Sequence, residues 1–384
     1  MDKQTTFRAT LLIMALFALQ PLSIGGWLAL IPLVKENLGL SKGELAFALL
    51  GMPMALVPTL QFAGRIVGSI GPRHTFMIVF PIQSVAILLP LVAWSGPSLF
   101  FALAIAGASI AFLEVAINVY AGRLEKRAGV MIMNRCHGFW ALGITLGSAW
   151  VAARLFESPW ALLGSLALFA AILGVWAARV LPRIGHEEET QESLPRRRPT
   201  ELPKALLFVA LFMFFVTMAE GAMADWAAVY LSERMGDGLE QAGIAVTVFS
   251  AFMAGGRFLG DWLKRHLGGV ALARLTVSCA ILGLLLLVLP LPLWLAFPGF
   301  ALVGFGVSAA YPLGVSAVAL LDDRYEAPNI AIMATVALGG FLIGPPVIGT
   351  VAELTTLPMG LAMLLPGLIL AIWLTKWLRP RDSL

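Results

Sequence analysis

The stretch from Ile110 to Gly147 reads IAFLEVAINVYAGRLEKRAGVMIMNRCHGFWALGITLG. Two strongly apolar runs flank a short charged segment, Gly122 to Arg127, which predicts two antiparallel helices joined by a turn. Four residues in those runs are foreign to lipid: Glu114, Asn118, Arg135 and His137. A charged side chain near the middle of a membrane helix costs roughly 2.5–3.5 kcal/mol on insertion scales, so it persists only with a partner or a water-filled space beside it. With the turn centred on Glu125, Glu114 lies 11 residues before it and Cys136 lies 11 after it. Equal helical rise then places Glu114, Arg135 and His137 at similar depth. Glu114 and Asn118 are four apart and share a helix face. The expectation is a buried acid facing an arginine and a histidine.

The rest of the chain makes that pair of runs a membrane hairpin. Hydrophobic residues are 59% of the 384 and charged residues only 12%, against about 45–50% and about 25% in soluble domains. The composition predicts an all-α integral membrane protein. A charge of +4 is no nucleic-acid signal here, because the basic residues sit where membrane topology wants them. The two cysteines, Cys136 and Cys279, fall inside apolar runs and suggest no disulfide framework. The first charge-free run, Ala9 to Val34, is longer than the 7–15 residues or so of a signal-peptide core, so it reads as a span that is retained.

A spanning helix needs about 20 predominantly apolar residues, and twelve fit the sequence. They fall at 7–34, 45–69, two within 75–113 split at Gly96-Pro97-Ser98, 130–155, 158–180, 205–231, 241–262, two within 275–321 split at Pro290-Leu291-Pro292, 327–352 and 356–377. The long polar segment Leu181 to Lys204 reads as a linker between two bundles, residues 1–180 and 205–384. With the N-terminus in the cytoplasm, 21 of the 26 Lys and Arg fall on the cytoplasmic side and four on the other, with Arg135 within a span. That asymmetry predicts both termini inside.

The two halves repeat. Ala63-Gly64-Arg65-Ile66-Val67-Gly68 matches Gly255-Gly256-Arg257-Phe258-Leu259-Gly260 at an offset of 192. Gly25-Gly26-Trp27 corresponds to Ala224-Asp225-Trp226 at 199, and Gly143/Gly147 to Gly340/Gly344 at 197. Similar offsets at three places predict two parallel copies of a six-helix unit, an arrangement used by transporters that rock two bundles about a midplane site.

Twelve spans, a central linker and a repeated Gly-Arg motif resemble the major facilitator superfamily over essentially the whole chain. Four stretches are similar to a bacterial inner-membrane branch near the fucose-permease-like transporters: Glu114–Asn118, His137–Gly143, Glu220–Trp226 and Gly344–Gly349. The resemblance implies the major facilitator fold, both termini cytoplasmic, a multi-pass protein of a bacterial inner membrane, and alternating access. It also implies that the Gly-Arg signature latches the cytoplasmic gate, through Gly64, Arg65 and Arg73 in the first half and Gly256, Arg257 and Asp261 in the second. The first half departs from the pattern, because Ser69 stands where Asp261 stands in the second.

The polar residues inside the spans are the candidate site. Glu114, His137, Glu220 and Asp225 are candidates for carrying a coupled proton, since burial and a nearby arginine pull a carboxyl's proton affinity in opposite directions. Glu114 could equally be half of a structural ion pair tying two helices together. Arg135 lies toward the cytoplasmic end and reads as a structural or gating partner. Gln20, Trp27, Gln61, Asn118, Trp140, Trp226 and Tyr311 are candidates for lining a solute cavity. Amides bond hydroxyls and aromatic faces cover the apolar side of a sugar ring, but amides also serve as glue between membrane helices.

No phosphate-binding loop and no metal-ligand spacing is present. The expectation is a secondary active transporter and not an enzyme. It would use no cofactor beyond a proton gradient, have no nucleic-acid partner, and act as a monomer in the bilayer. Proton-coupled symport of a small neutral polar, sugar-like solute fits the set of side chains. Proton-coupled export of lipophilic cations is the alternative.

Overall fold

The computed structural model describes residues 2–154, 157–184, 202–236, 239–321 and 325–379. Its helices, in chain order, are α1 (Lys3–Asn37), α2 (Lys42–Leu49), α3 (Gly51–Ile70), α4 (Pro72–Ala86), α5 (Gly96–Ala128), α6 (Met133–Ala152) and α7 (Pro159–Val180) in the first half. The second half contains α8 (Lys204–Met235), α9 (Leu239–Leu267), α10 (Gly269–Val288), α11 (Ala296–Ser308), α12 (Ala310–Ala319), α13 (Glu326–Leu354), α14 (Leu357–Ala362) and α15 (Leu364–Leu374). Several spans are built from two pieces. α2 and α3 form the second, bending at Leu50, and α11 and α12 form the tenth, bending at Ala309. Most of the predicted linker lies outside the described residues.

Among the described residues, eleven helical stretches are long and apolar enough to cross a membrane. α6 completes twelve by length, at 20 residues, but Asn134, Arg135 and His137 dilute its apolar character. It can afford them because α1 and α9 pack along it and shield it from lipid.

Helix pairing follows the repeat. α1 packs along α6, and α8 along α13. Gly147 lies directly against the backbone oxygen of Leu22, and Gly143 against that of Ala18, so α1 and α6 touch backbone to backbone. Gly340 repeats this against Phe214 and Met218 of α8. Small residues permit such approach, and without a hydrophobic force between helices in lipid that packing is the main attraction.

The hairpin differs from its sequence reading in one consequential way. Gly122–Arg127 is helical, and α5 continues to Ala128. Gly129 then takes a left-handed φ of 64° and ends the helix, a conformation glycine enters without a Cβ penalty. The turn is therefore 129–132. Glu125 does not sit at its tip; its carboxylate accepts from the Ile132 and Met133 N–H groups at 2.5 and 2.9 Å. It caps the start of α6, where free N–H groups and the helix dipole favour an anion. Moving the turn breaks the equal-depth argument. Arg135 lies in the first turn of α6, while Glu114 lies about four turns back along α5.

The two bundles meet along α6 with α9 and along α2 with α13, and α1 also touches α8 and α9. The end of the molecule holding the linker also holds the α3–α4 and α5–α6 turns. At the opposite end, the Gly43 N–H donates to Glu353 Oε2 at 3.1 Å, and Lys42 pairs with Glu233 at 3.4 Å. Gly349 packs against Ala46 and Trp226 just beneath them. Contacts between the bundles thus close this far end.

Candidate functional site

The centre of the polar cluster is Arg257, on α9 ten residues before that helix ends. At 1.5 Å of rise per residue it lies about 15 Å from the helix terminus. Its guanidinium donates to Glu220 Oε1 of α8 at 3.0 Å, and the two side chains are only 10% and 14% exposed. A second N–H donates to the backbone oxygen of His137 on α6 at 3.2 Å, so the pair bridges the two bundles. The same guanidinium lies 5.8 Å from the Trp140 ring, within reach of a cation–π attraction. Its field also reaches Glu114.

Glu114, on α5, accepts from Asn118 Nδ2 at 3.1 Å, the i, i+4 contact expected from the spacing. His137 stacks edge-on to Phe17, with ring centroids 5.5 Å apart, and lies 6.0 Å from Tyr311. The Trp140 indole N–H donates to Gln20 Oε1 at 2.8 Å. Gln20 is held in turn by Gln83, whose amide donates to the Gln20 backbone oxygen at 2.7 Å. One connected set thus runs from Gln83 and Gln20 through Trp140 and Arg257 to Glu220, with Glu114 and Asn118 beside it. Six helices contribute: α1, α4, α5, α6, α8 and α9.

Of the residues singled out from sequence, Glu114, Asn118, His137, Trp140, Gln20, Glu220 and Tyr311 come together. Others do not. Arg135 is exposed and makes no hydrogen bond or ion pair among the described residues, so the expected pairing of Glu114 with Arg135 is not formed, and the cation whose field reaches Glu114 is Arg257. Asp225 has no hydrogen-bond or ion-pair partner among the described residues. Trp27 and Trp226 are fully buried in helix packing. Gln61 is exposed on α3.

The Gly-Arg signature divides. Arg65 and Gly64 are exposed at the linker end of α3. Arg73 stays within the first bundle and donates to the Ala178 and Arg179 backbone oxygens at the end of α7. Asp261 reaches across the seam and accepts from Asn134 Nδ2 at the start of α6. Arg257, grouped by sequence with the gate, is instead the cation of the central cluster. The signal for it was its distance from the end of α9, which the matching motif around Arg65 obscured.

The fold now has an independent counterpart. Residues 11–327 match the Major Facilitator Superfamily. The chain belongs to that superfamily. The transporter y4wD of Sinorhizobium fredii is 31% identical over 360 residues, covering 93% of this chain and 94% of its own. An MFS-type transporter of Yersinia pestis is 27% identical over 347 residues, covering 89% and 88%. Among solved structures, a D323A mutant of the nucleoside transporter NupG superposes with a TM-score of 0.78 at 15% identity, over 96% of this chain and 99% of that one. A bacterial homologue of the human lysosomal transporter Spinster, inward-facing and unoccupied, superposes at 0.69 and 16% identity, over 100% and 99%. These superpositions establish the fold. The protein is a multi-pass membrane transporter of the superfamily and not an enzyme.

Proposed function

We propose that this transporter is a proton-coupled symporter for a small neutral polar, sugar-like solute. The carrying observation is that Glu220 is ion-paired with Arg257, while Glu114, from the other bundle, lies within the field of that cation and makes no ion pair among the described residues. With both acids ionised the cluster holds a net charge of −1, which is expensive in an apolar surrounding. One proton makes it neutral, and Glu114, which lacks a direct ion pair, is the group to take it. Loading a neutral solute together with that proton lets the two bundles rearrange without moving an uncompensated charge. The amides of Gln20 and Asn118 and the rings of Trp140 and Tyr311 line the same place and suit hydroxyl-rich solutes. The likeness of four local stretches to the fucose-permease-like branch supports the same solute class. We place both termini in the cytoplasm, residues 1–180 and 205–384 as the two moving bodies, and the monomer as the transporting unit.

The test is uptake into proteoliposomes with an imposed inward proton gradient, using a panel of sugars, polyols and nucleosides chosen by thermal shift, since a bound ligand raises apparent stability. Coupled uptake that collapses in Glu114→Gln supports the reading. Uptake that ignores the gradient and survives both Glu114→Gln and Glu220→Gln overturns it. The same excess of negative charge favours a second reading, export of lipophilic cations. That reading expects deletion to sensitise cells to cationic dyes, and unchanged tolerance across a broad panel removes it.

A further inference from the structure

The two halves repeat, but the two seams between them are not alike. The α6–α9 seam is joined along its whole length. At the linker end Asn134 donates to Asp261, and Phe139 packs edge-on to Phe258 at 5.5 Å. Midway, Arg257 donates to the His137 backbone oxygen. Further on, the hydroxyls of Thr145 and Ser250 lie 3.0 Å apart, and those of Ser148 and Thr247 lie 2.9 Å apart. At the far end Gly243 nests against Ala152, Ser148 and Ala29.

Among the described residues, the bonds and close contacts of the equivalent seam, α2 and α3 with α13, lie at the far end, in Gly43 with Glu353 and Gly349 with Ala46. Toward the linker end α3 leaves its partner. Only Gly51, Ala63 and Val67 of its 20 residues are buried, and a side chain added at Gly64 would meet open space.

The internal repeat explains the difference. Carried through the offsets of 192 and 197, Asp261 and Asn134 become Ser69 and Ala331. Ser250 and Thr145 become Pro58 and Leu342, and Thr247 and Ser148 become Ala55 and Pro345. Arg257 becomes Arg65, which is exposed and has no acid or carbonyl partner among the described residues. Apart from Ser69 and Arg65, each position that bonds across the α6–α9 seam is apolar in its counterpart. Hydrogen bonds between membrane helices each contribute modestly, so several in a row bind one seam more firmly than the other.

We propose that the α6–α9 seam is a pivot that stays joined through the transport cycle, and that only the α2/α3–α13 seam parts, at one end and then at the other. The solute then passes along one side of the molecule, the α2/α3–α13 side, reaching the far end in one state and the linker end in the other. Symmetric rocking would part both seams equally. The inference rests on the transporter assignment and on neither the solute nor the coupled ion, so its failure and that of the symport reading are separable.

Dipolar electron paramagnetic resonance on the full chain in lipid nanodiscs tests it, in a Cys136→Ala, Cys279→Ala background. One spin-label pair replaces Arg135 and Trp262, exposed residues flanking the linker end of α6–α9. The other replaces Ser69 and Ala331, exposed at the linker end of α3–α13. The expected result is a single narrow distance distribution for the first pair and one at least twice as wide, or two-peaked, for the second. Equal widths overturn the pivot, and so does a narrow distribution at Ser69–Ala331. Removing the hydroxyl ladder with Thr145→Val and Ser148→Ala is expected to widen the Arg135–Trp262 distribution at least twofold. No widening overturns the ladder as the cause.

Discussion

Arg257 is held by an acid of its own bundle and a backbone oxygen of the other. Breaking a buried ion pair by removing one partner typically costs about 3–5 kcal/mol, because the remaining charge is left unpaired. Glu220→Ala and Arg257→Ala should each lower the thermal unfolding temperature of the purified protein clearly. The double variant Glu220→Ala, Arg257→Ala should recover much of that loss while remaining inactive in transport. Equal losses from the single and double variants would show that the pair's charge balance is not what matters. Glu114→Gln belongs in another class. It removes a charge without orphaning a directly bonded partner, so stability should hold while gradient-driven uptake falls to the level seen without a gradient.

At the scale of helices, close approach and capping carry the predictions. A Cβ at Gly147 would run into the Leu22 backbone oxygen, whereas one at Gly64 meets nothing. Gly147→Ala should therefore reduce folded yield and unfolding temperature. Gly64→Ala should be neutral or stabilising, because Ala exceeds Gly in helix preference by about 1 kcal/mol. Similar effects at the two sites would contradict the α1–α6 packing. Glu125 caps α6, and Glu125→Ala should cost about 0.5–2 kcal/mol, the range for helix caps, with no change in coupling. Thermal unfolding and the gradient dependence of uptake check the two halves of that statement.

For the whole molecule, the far end is held by Lys42 with Glu233 and by Glu353 at the start of α2. Removing both with Lys42→Ala and Glu353→Ala should raise the population open at that end. A cysteine at Ala46, 2% exposed beneath Gly349, should then react severalfold faster with a membrane-impermeant maleimide than in the intact latch. An unchanged rate would mean that apolar packing alone closes the far end.

The sequence alone determined the membrane class, the number of spans and the two-fold repeat. Each is written in local composition, and lipid enforces it residue by residue: unbonded backbone is not tolerated, so apolar runs of sufficient length become helices. It also supplied most of the polar cluster, since Glu114, His137 and Glu220 stand out wherever lipid is the solvent. The tertiary structure decided their partners. The true turn lay at Gly129, not in the charged run, because charged residues continue a helix readily once it leaves the apolar layer. That shift removed Arg135 from Glu114. Arg257 took its place because α9 packs against α6 and α8, a contact between segments 37 and 120 residues apart that no local pattern encodes. The seams show the same division: the repeat held the residue differences, but Asn134, Thr145 and Ser148 bond across to α9 only because folding sets those two faces together.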